Sequence, residues 1–573
     1  MENNVARGPK APKDPTKKRS VIYIMLDDAI EGRPNDFGGY ADINFLEGRV
    51  AAKVTNLLPE LDKELAVKLQ GCEGFRELVH SIGVSILADK EEDRNKTIQF
   101  AQQCRTPAGY HGTRYAAETV CDGRETLIMV EDFPAVEGET VLAAFNFGFP
   151  SYFTAKVTIA YYLNDGFEVP ELIPDPPVVF GSEDYQTMIA RSCMQTGNLY
   201  RMKRAIAKAK AGEDVTIAYI GGSITQGAGA KPIATNSYAY RSYEAFKNRF
   251  GKGDGSNVHF IKAGVGGTPS ELGLTRYEDD VLRGGSVTPD VVVIEFAVND
   301  AGDETNGVCY ESLALMAMEG PGNPAVVLLF SVFQDDYNLQ DNLSRVGYHY
   351  NLPMVSIKNA VTPNFYEETP VITKRQFFYD LYHPSNDGHR IMADCLDYFW
   401  KLAEEGEAPE QDVDLSVEGV IGNRYRGLKA FGKNDFAAHA AVKALDAGSF
   451  TEVDNALQCV EQDANPHVTP EFPDHWMYNG EADKPESFTM TIECRDLLMV
   501  YKDSGDPSFG TVEVLVDGTV TRTINPLEVG WNHCNAVIVY TGEETANHQV
   551  EIRMLPGEEK KKFTVLGFGY TLN

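Results

Sequence analysis

The chain has 573 residues, of which 43% are hydrophobic and 24% charged, and this length leaves room for three domains with separate cores. Its 84 acidic residues outnumber the 52 basic ones and give a net charge of −32, which repels nucleic acids and anionic lipid surfaces. We therefore expect neither nucleic acid nor a membrane as a partner.

Export, membrane and metal signals are also missing from the sequence. No run of about 18 apolar residues predicts a membrane span, and the N-terminus lacks the apolar segment of a signal peptide. The nine cysteines are scattered without CxxC pairs, as expected for reduced thiols. We predict a cytoplasmic protein without metal or cofactor, and the sequence leaves its oligomeric state open, a homo-oligomer included.

The N-terminal third of the chain has mostly strand patterns. Residues 1–19 combine Pro, Lys and Gly with few apolar residues, which predicts a disordered tail. Residues 20–178 predict a β-rich, sandwich-like domain, and a proline-rich connector at 170–177 marks its end. The predicted strands are residues 21–25, 83–87, 126–130, 141–145 and 156–162.

Helix and strand patterns alternate between residues 179 and 404. A predicted helix over residues 185–210 precedes the first strand, and four more helix-strand pairs and a last helix follow. This alternation predicts an α/β domain with a five-stranded parallel sheet covered by helices on both faces. The predicted strands are 215–220, 258–263, 291–296, 325–330 and 354–357, and the later helices are 238–250, 270–282, 310–318, 339–350 and 387–402.

Strand patterns return after an acidic linker at residues 404–414 and predict a C-terminal β-sandwich domain, residues 412–573. Asp517-Gly518 suits a hairpin turn with positive φ. The predicted strands are 488–492, 497–501, 512–516, 536–540, 549–554 and 563–567.

Ser223 stands directly after the first strand of the α/β domain. The preceding glycines, Gly221 and Gly222, allow a sharp turn, so Ser223 is presented at the carboxyl end of a strand, where α/β sheets bind ligands. A phosphate-binding loop is excluded because Gly227 is followed by Ala228, and a nucleophile elbow is excluded by Thr225. The simple alternative is a strand that ends in a polar turn.

Asp380 and His383 precede the last helix of the same domain. At this spacing Asp380 can orient His383, whose other ring nitrogen is then available for the Ser223 proton. The alternative is a helix start capped by Ser385 or Asn386, with His383 on the surface.

Two further segments end neighbouring strands of the predicted sheet. Asn299 follows the third strand, and Gly267 lies in a glycine-rich loop after the second. With the Ser223 N–H, the Gly267 N–H and the Asn299 amide can form an oxyanion hole. A cap for Asn299 and a tight turn for the glycines are the alternatives.

Together these four segments resemble the blocks of the SGNH hydrolase family, a branch of the GDSL esterases. The blocks are Gly222-Ser223-Ile224-Thr225, Gly264-Val265-Gly266-Gly267-Thr268, Val298-Asn299-Asp300 and Asp380 to His383. The resemblance implies a flavodoxin-like catalytic domain in which Ser223 is the nucleophile, His383 the base and Asp380 its partner. It also implies an oxyanion hole made by Ser223, Gly267 and Asn299.

The sequence departs from the family pattern at two positions, and these weaken any inference about substrate. Gly222 stands where the GDSL pattern has aspartate, and Lys262 where asparagine is usual. A second resemblance, carried by the flanking β-domains and by residues 498–501 and 531–533, is to bacterial carbohydrate acetylesterases. It implies an acetylated oligosaccharide as substrate.

Three functions are therefore compared. The first is a serine esterase that removes O-acetyl groups from oligo- or polysaccharides. The second is a lysophospholipase, thioesterase or acyltransferase acting on longer acyl chains, which the small, polar segment 225–236 does not favour. The third is a carbohydrate-binding protein with an inert site, which the complete set of catalytic residue types does not favour.

The C-terminal domain contains a turn-rich segment with one of the three tryptophans of the chain. Because aromatic faces stack on sugar rings, we expect His475, Trp476 and Tyr478 to contact substrate. The alternative is that Trp476 fills the sandwich core or the domain interface.

Overall fold

The computed structural model describes residues 18–35, 38–54, 63–107 and 109–572. Residues 1–17 of the predicted tail lie outside this part of the chain, whereas Arg19 is described and donates to the Leu163 carbonyl at 2.8 Å. In the described ranges, no helix has both the length and the apolar character needed to cross a membrane.

Nine strands in two antiparallel sheets form an N-terminal sandwich. One sheet has the order β1-β9-β4-β7 and the other β2-β3-β8-β5-β6. The strands are β1 Val21–Glu31, β2 Arg33–Pro34, β3 Tyr40–Phe45, β4 Val79–Ala88, β5 Thr97–Arg105, β6 Arg114–Val120, β7 Asp122–Met129, β8 Val141–Phe149 and β9 Thr154–Leu163, with helices α1 Lys63–Lys68 and α2 Cys72–Leu78. The β-rich prediction is confirmed, although β2, β3, β5 and β6 were not predicted because polar residues interrupt their apolar pattern.

The central domain is a six-stranded sheet of order β10-β15-β14-β13-β11-β12 with helices on both faces. Five of its strands run parallel to one another. Its elements are α3 Glu183–Ala190, β10 Cys193–Gln195, α4 Tyr200–Ala211, β11 Val215–Gly221, α5 Ser223–Gln226, α6 Ile233–Asn236, α7 Tyr238–Phe250, β12 Val258–Gly264, α8 Ser270–Asp280, β13 Val291–Glu295, α9 Val308–Glu319, β14 Ala325–Phe330, α10 Gln340–His349, β15 Met354–Ser356, α11 Ile357–Phe365, α12 Lys374–Phe377 and α13 Asn386–Glu405.

The sixth strand corrects the sequence prediction. The continuous helix expected over residues 185–210 is wrong, because the chain leaves α3 after Ala190, adds β10 antiparallel to β15, and only then begins α4. The break includes Gly197, which has a φ of +61° and packs so closely on the backbone that a Cβ would lie 2.4 Å from the Leu352 carbonyl carbon. The sheet is therefore mixed.

An eight-stranded sheet with two long strands forms the C-terminal sandwich, and two short strands pair separately as a second sheet. The strands are β16 Lys429–Phe431, β17 Val442–Asp446, β18 Cys459–Val460, β19 Thr469–Pro470, β20 Trp476–Tyr478, β21 Phe488–Asp503, β22 Val512–Val516, β23 Thr519–Ile524, β24 His533–Met554 and β25 Phe563–Thr571. The first half of β21 pairs with β17 and the second with β25, and the register shifts between Cys494 and Asp496. The predicted Asp517-Gly518 hairpin is confirmed, with φ of +52° and +78°.

Residues 406–428, all of them described, contain neither helix nor strand and run along the central domain. The Glu311 carboxylate of α9 accepts backbone N–H bonds from Val420, Ile421 and Gly422 at 2.6–2.8 Å. The connection between the central and C-terminal domains is thereby fixed.

Candidate functional site

Ser223 begins the single-turn helix α5 at the carboxyl end of β11, the parallel strand between β13 and β12. The two residues before it must be glycines, because a side chain at either position would clash with its neighbours. A Cβ at Gly221 would lie 2.2 Å from Thr225 Oγ1, and one at Gly222 would lie 2.0 Å from Asn299 Oδ1. This close packing brings Asn299 beside Ser223.

His383 and Asp380 approach Ser223 from the loop before α13. His383 Nε2 lies 2.9 Å from Ser223 Oγ, and His383 Nδ1 lies 2.9 Å from Asp380 Oδ2. Because the carboxylate accepts the Nδ1–H, Nε2 is left to accept the Ser223 hydroxyl proton. Ser385 caps α13 through the Gly388 N–H, but His383 is buried, not a surface residue.

Asp380 is buried, yet its environment favours the ionised form. Burial alone would raise its pKa, but the His383 ring and backbone N–H donors outweigh burial and hold the pKa below its usual value. Its Oδ1 accepts the N–H groups of Tyr382 and His383, both at 2.8 Å. The carboxylate is therefore oriented toward the His383 ring.

Gly267 lies in a turn after β12 with a φ of +75°. Among the described residues, we find no acceptor for the backbone N–H of Gly267 or of Ser223. The third group is the Asn299 side chain, whose Nδ2 is the donor and whose Oδ1 lies against Gly222. Donor groups at the carboxyl ends of three adjacent strands, β12, β11 and β13, thus lie near the Ser223 hydroxyl.

The N-terminal sandwich holds the loop that carries Asp380 and His383. The Tyr379 carbonyl accepts a hydrogen bond from Asn44 Nδ2 at 2.7 Å and another from Lys53 Nζ. Both donors are buried, and Tyr379 directly precedes Asp380. The position of the carboxylate therefore depends on contacts between two domains.

The C-terminal domain holds the Gly267 turn in the same way. Gln458 Nε2 donates to the Gly266 carbonyl at 2.8 Å, and the Gly266 carbonyl and the Gly267 N–H belong to one peptide group. His533 Nε2 lies 3.0 Å from the Gly267 carbonyl. Burial lowers the pKa of His533 to about 4, so its ring is neutral at pH 7 and donates to that carbonyl. Nothing in the local sequence pattern marked Gln458, whereas His533 belongs to the segment 531–533 that carried the second resemblance.

Aromatic rings from both flanking domains border the site. The ring of Phe45 on β3 lies 6.1 Å from that of His383, centroid to centroid. Trp531 packs against Gly267, where a Cβ would lie 2.9 Å from the indole, and 40% of the residue remains exposed. Both flanking domains therefore contribute apolar ring surface beside Ser223.

The residues expected to contact substrate, His475, Trp476 and Tyr478, do not lie at this site. They are 1–3% exposed, and Trp476 packs on Phe488 at 5.4 Å inside the C-terminal sandwich. His475 Nε2 accepts the Asp454 N–H at 2.8 Å. The expectation is corrected: Trp476 fills the core because β20 pairs with β25, and the tryptophan that reaches the site is Trp531.

Two clusters in the described ranges have the geometry to hold a metal ion. They are Cys72, Cys104 and Glu139, and Glu271, Asp303 and Cys309. Burial and the neighbouring Asp303 raise the pKa of Glu271 to about 10, so this carboxyl is protonated at neutral pH. Neither cluster includes a residue of the Ser223 site.

Comparison with known proteins agrees with the site. Residues 219–391 match the model of the GDSL-like Lipase/Acylhydrolase family. The matched residues all lie in the central domain, which is therefore similar to SGNH hydrolase domains of the GDSL type. No curated protein matches the sequence.

One solved structure resembles more than the central domain. It is a two-domain esterase active on acetylated mannans, 27% identical, with a TM-score of 0.56, and the match covers 67% of this chain and 99% of that one. A second structure of such an esterase, co-crystallised with mannopentaose, is 26% identical, with a TM-score of 0.55 and coverage of 67% and 98%. Each match leaves about a third of the present chain uncovered.

Asp380→Asn tests the orientation of His383. Asparagine can keep its Oδ1 on the two backbone N–H groups, which turns its NH₂ toward His383 Nδ1 and places the ring proton on Nε2. That nitrogen can no longer accept the Ser223 proton, so we expect kcat for ester hydrolysis to fall about 10⁴-fold while the fold persists. Steady-state kinetics and thermal melting check this.

Asp387→Asn is the matched control, because Asp387 lies in the first turn of α13 without contacting His383. Its kcat should stay near that of the wild type. An Asp380→Asn enzyme within about tenfold of wild-type turnover would contradict the assignment.

Proposed function

We propose that the protein is a serine esterase that removes O-acetyl groups from oligo- or polysaccharides through an acyl-serine intermediate. The observation that carries the proposal is the hydrogen-bonded chain Ser223, His383 and Asp380, with both distances at 2.9 Å. An esterase role also agrees with the GDSL-type match of the central domain.

In this mechanism His383 Nε2 takes the proton of Ser223 Oγ as the oxygen attacks the acetyl carbonyl. The tetrahedral intermediate collapses when His383 returns the proton to the sugar oxygen, which leaves as an alcohol, and Ser223 keeps the acetyl group. Water, deprotonated by the same nitrogen, then attacks the acetyl carbonyl, and acetate is released as His383 returns the proton to Ser223 Oγ. Asp380 stays ionised and stabilises the imidazolium form of His383.

The negative charge that develops on the acetyl oxygen must be stabilised by hydrogen-bond donors. We assign this role to the N–H groups of Ser223 and Gly267 and to the Asn299 side chain, because all three adjoin the Ser223 hydroxyl and the backbone donors have no other acceptor in the described ranges. These donors are in position before the reaction begins, because the surrounding structure already holds them in place.

Two observations favour an acetylated glycan over a long acyl chain. Phe45 and Trp531 border the site with ring surface of the kind that stacks on sugars. The similar two-domain esterase acts on acetylated mannans. A lysophospholipase or thioesterase is the alternative, and it requires room for a long acyl chain.

Ser223→Ala should abolish deacetylation without loss of the fold, since the hydroxyl at a strand end contributes little to stability. We expect kcat on acetylated manno-oligosaccharides and on p-nitrophenyl acetate to fall at least about a thousandfold. Release of acetate and thermal melting are the measurements. Retention of more than about a thousandth of wild-type turnover excludes Ser223 as nucleophile.

The acyl preference is measured with p-nitrophenyl esters from acetate to octanoate. We expect kcat/KM to be highest for acetate and to fall as the chain lengthens. A maximum at hexanoate or octanoate would favour the lipid or thioester alternative.

In this mechanism Gln458 positions the Gly267 N–H by holding the Gly266 carbonyl. Gln458→Ala and Gln458→Glu both remove the donor to the Gly266 carbonyl, while glutamate retains an acceptor for the Cys534 N–H, which Gln458 Oε1 binds at 2.7 Å. We expect kcat on p-nitrophenyl acetate to fall about 10–100-fold with KM little changed, because the oxyanion forms only in the transition state.

Gln462→Ala is the control, since Gln462 belongs to the same segment but bonds to Arg283 and Asp280. A raised KM at unchanged kcat in the Gln458 variants, or an equal loss in Gln462→Ala, would contradict the positioning role.

A further inference from the structure

A cavity of about 440 Å³ lies where the three domains meet, beside the Ser223 site. Its floor is the outer face of the five-stranded N-terminal sheet, and its far wall is formed by the C-terminal segment around Cys459 and by Trp531. Pockets of about 300–1,000 Å³ accommodate small ligands. The mechanism described above does not use this space.

Three of the lining residues connect the cavity to the reaction centre. Gln226 is the last residue of α5, the turn that begins at Ser223. Phe45 contacts the His383 ring, and Trp531 packs on Gly267. A substrate whose acetyl group reaches Ser223 therefore has this cavity next to it.

The floor of the cavity leaves space for a ligand because Gly148 has no side chain. On antiparallel strands, paired residues share a face, and Gly148 on β8 pairs with Gln99 on β5 and Ala41 on β3. Ile43 pairs with Asn146 on the same face. With no side chain at Gly148, the amides of Gln99 and Asn146 line an unfilled space.

The lining favours an uncharged, hydroxyl-rich ligand. Its buried ions are already paired, Arg33 with Glu461 at 3.4 Å and Asp42 with Lys231 at 2.7 Å. The lining also includes the exposed Arg114, and its uncharged polar groups are the side-chain amides, which lie beside the half-exposed indole of Trp531. Amides offer both donors and acceptors to hydroxyls, and an indole face packs on the C–H face of a sugar ring.

We infer that this cavity is a glycan subsite that binds the sugar residues next to the acetylated one, so that the N-terminal sandwich contributes to substrate recognition. The inference rests on the proposed deacetylase function. It assigns the N-terminal β-sandwich a direct contact with substrate in addition to its contact with the Tyr379 carbonyl.

The test compares kcat/KM on acetylated mannopentaose and acetylated xylopentaose with that on the corresponding acetylated monosaccharides. The wild type should prefer at least one pentasaccharide about tenfold or more over its monosaccharide. The double variant Gln99→Ala/Asn146→Ala should reduce that preference about tenfold, the effect of losing two hydrogen bonds.

Gly148→Leu provides a second route to the same result, because its side chain fills the cavity from the floor. Lys156→Ala is the control, an exposed cation of the other sheet, and it should keep the wild-type preference. Thermal melting shows that each variant is folded.

The outcomes separate the two claims. If the wild type hydrolyses acetylated sugars but shows no length preference, or if both cavity variants keep the preference, the subsite is excluded and the deacetylase function stands. If the wild type hydrolyses p-nitrophenyl acetate but none of the acetylated sugars, the proposed function is wrong and the subsite inference is rejected with it.

Discussion

Both loops that face Ser223 are held through backbone carbonyl groups by side chains of another domain. Asn44 and Lys53 bind the Tyr379 carbonyl from the N-terminal side, and Gln458 binds the Gly266 carbonyl from the C-terminal side. Loops at the end of a parallel sheet have few contacts of their own, so external anchors fix their geometry. The site is therefore a product of three domains, although its reactive groups lie in one.

The contacts between the central domain and the N-terminal sandwich include buried polar ones, which has a physical consequence. Lys231 Nζ and Asp42 Oδ1 form a buried ion pair at 2.7 Å between the central domain and the N-terminal sandwich. Such pairs add little net stability, because desolvation offsets much of the attraction, but breaking one is costly. We interpret this pair as fixing how the sandwich sits on the site, not as a source of stability.

Much of the fold could be predicted from local patterns, because β-branched runs and helical spacing are local signals. The α/β alternation and the Asp517-Gly518 hairpin are examples. Long-range pairing could not be predicted. The sequence predicts two strands where β21 is one strand that continues through a register shift, and it predicts a helix over the residues that form β10. Ser223, Asp380 and His383 could be selected because each follows or precedes a recognisable element. Trp531 and Gln458 lie in irregular segments whose position depends on distant strands, and the choice of Trp476 failed for the same reason.

If acetyl groups pass through Ser223, the acetyl-serine intermediate can be trapped. The enzyme is mixed with an acetylated oligosaccharide, quenched in acid within the first turnover, and digested for peptide mass spectrometry. We expect one added acetyl group on the peptide that contains Ser223, and none in the Ser223→Ala protein. Acetylation of a different residue on the path to acetate, or rapid deacetylation by the Ser223→Ala protein, would contradict the role of Ser223 as nucleophile.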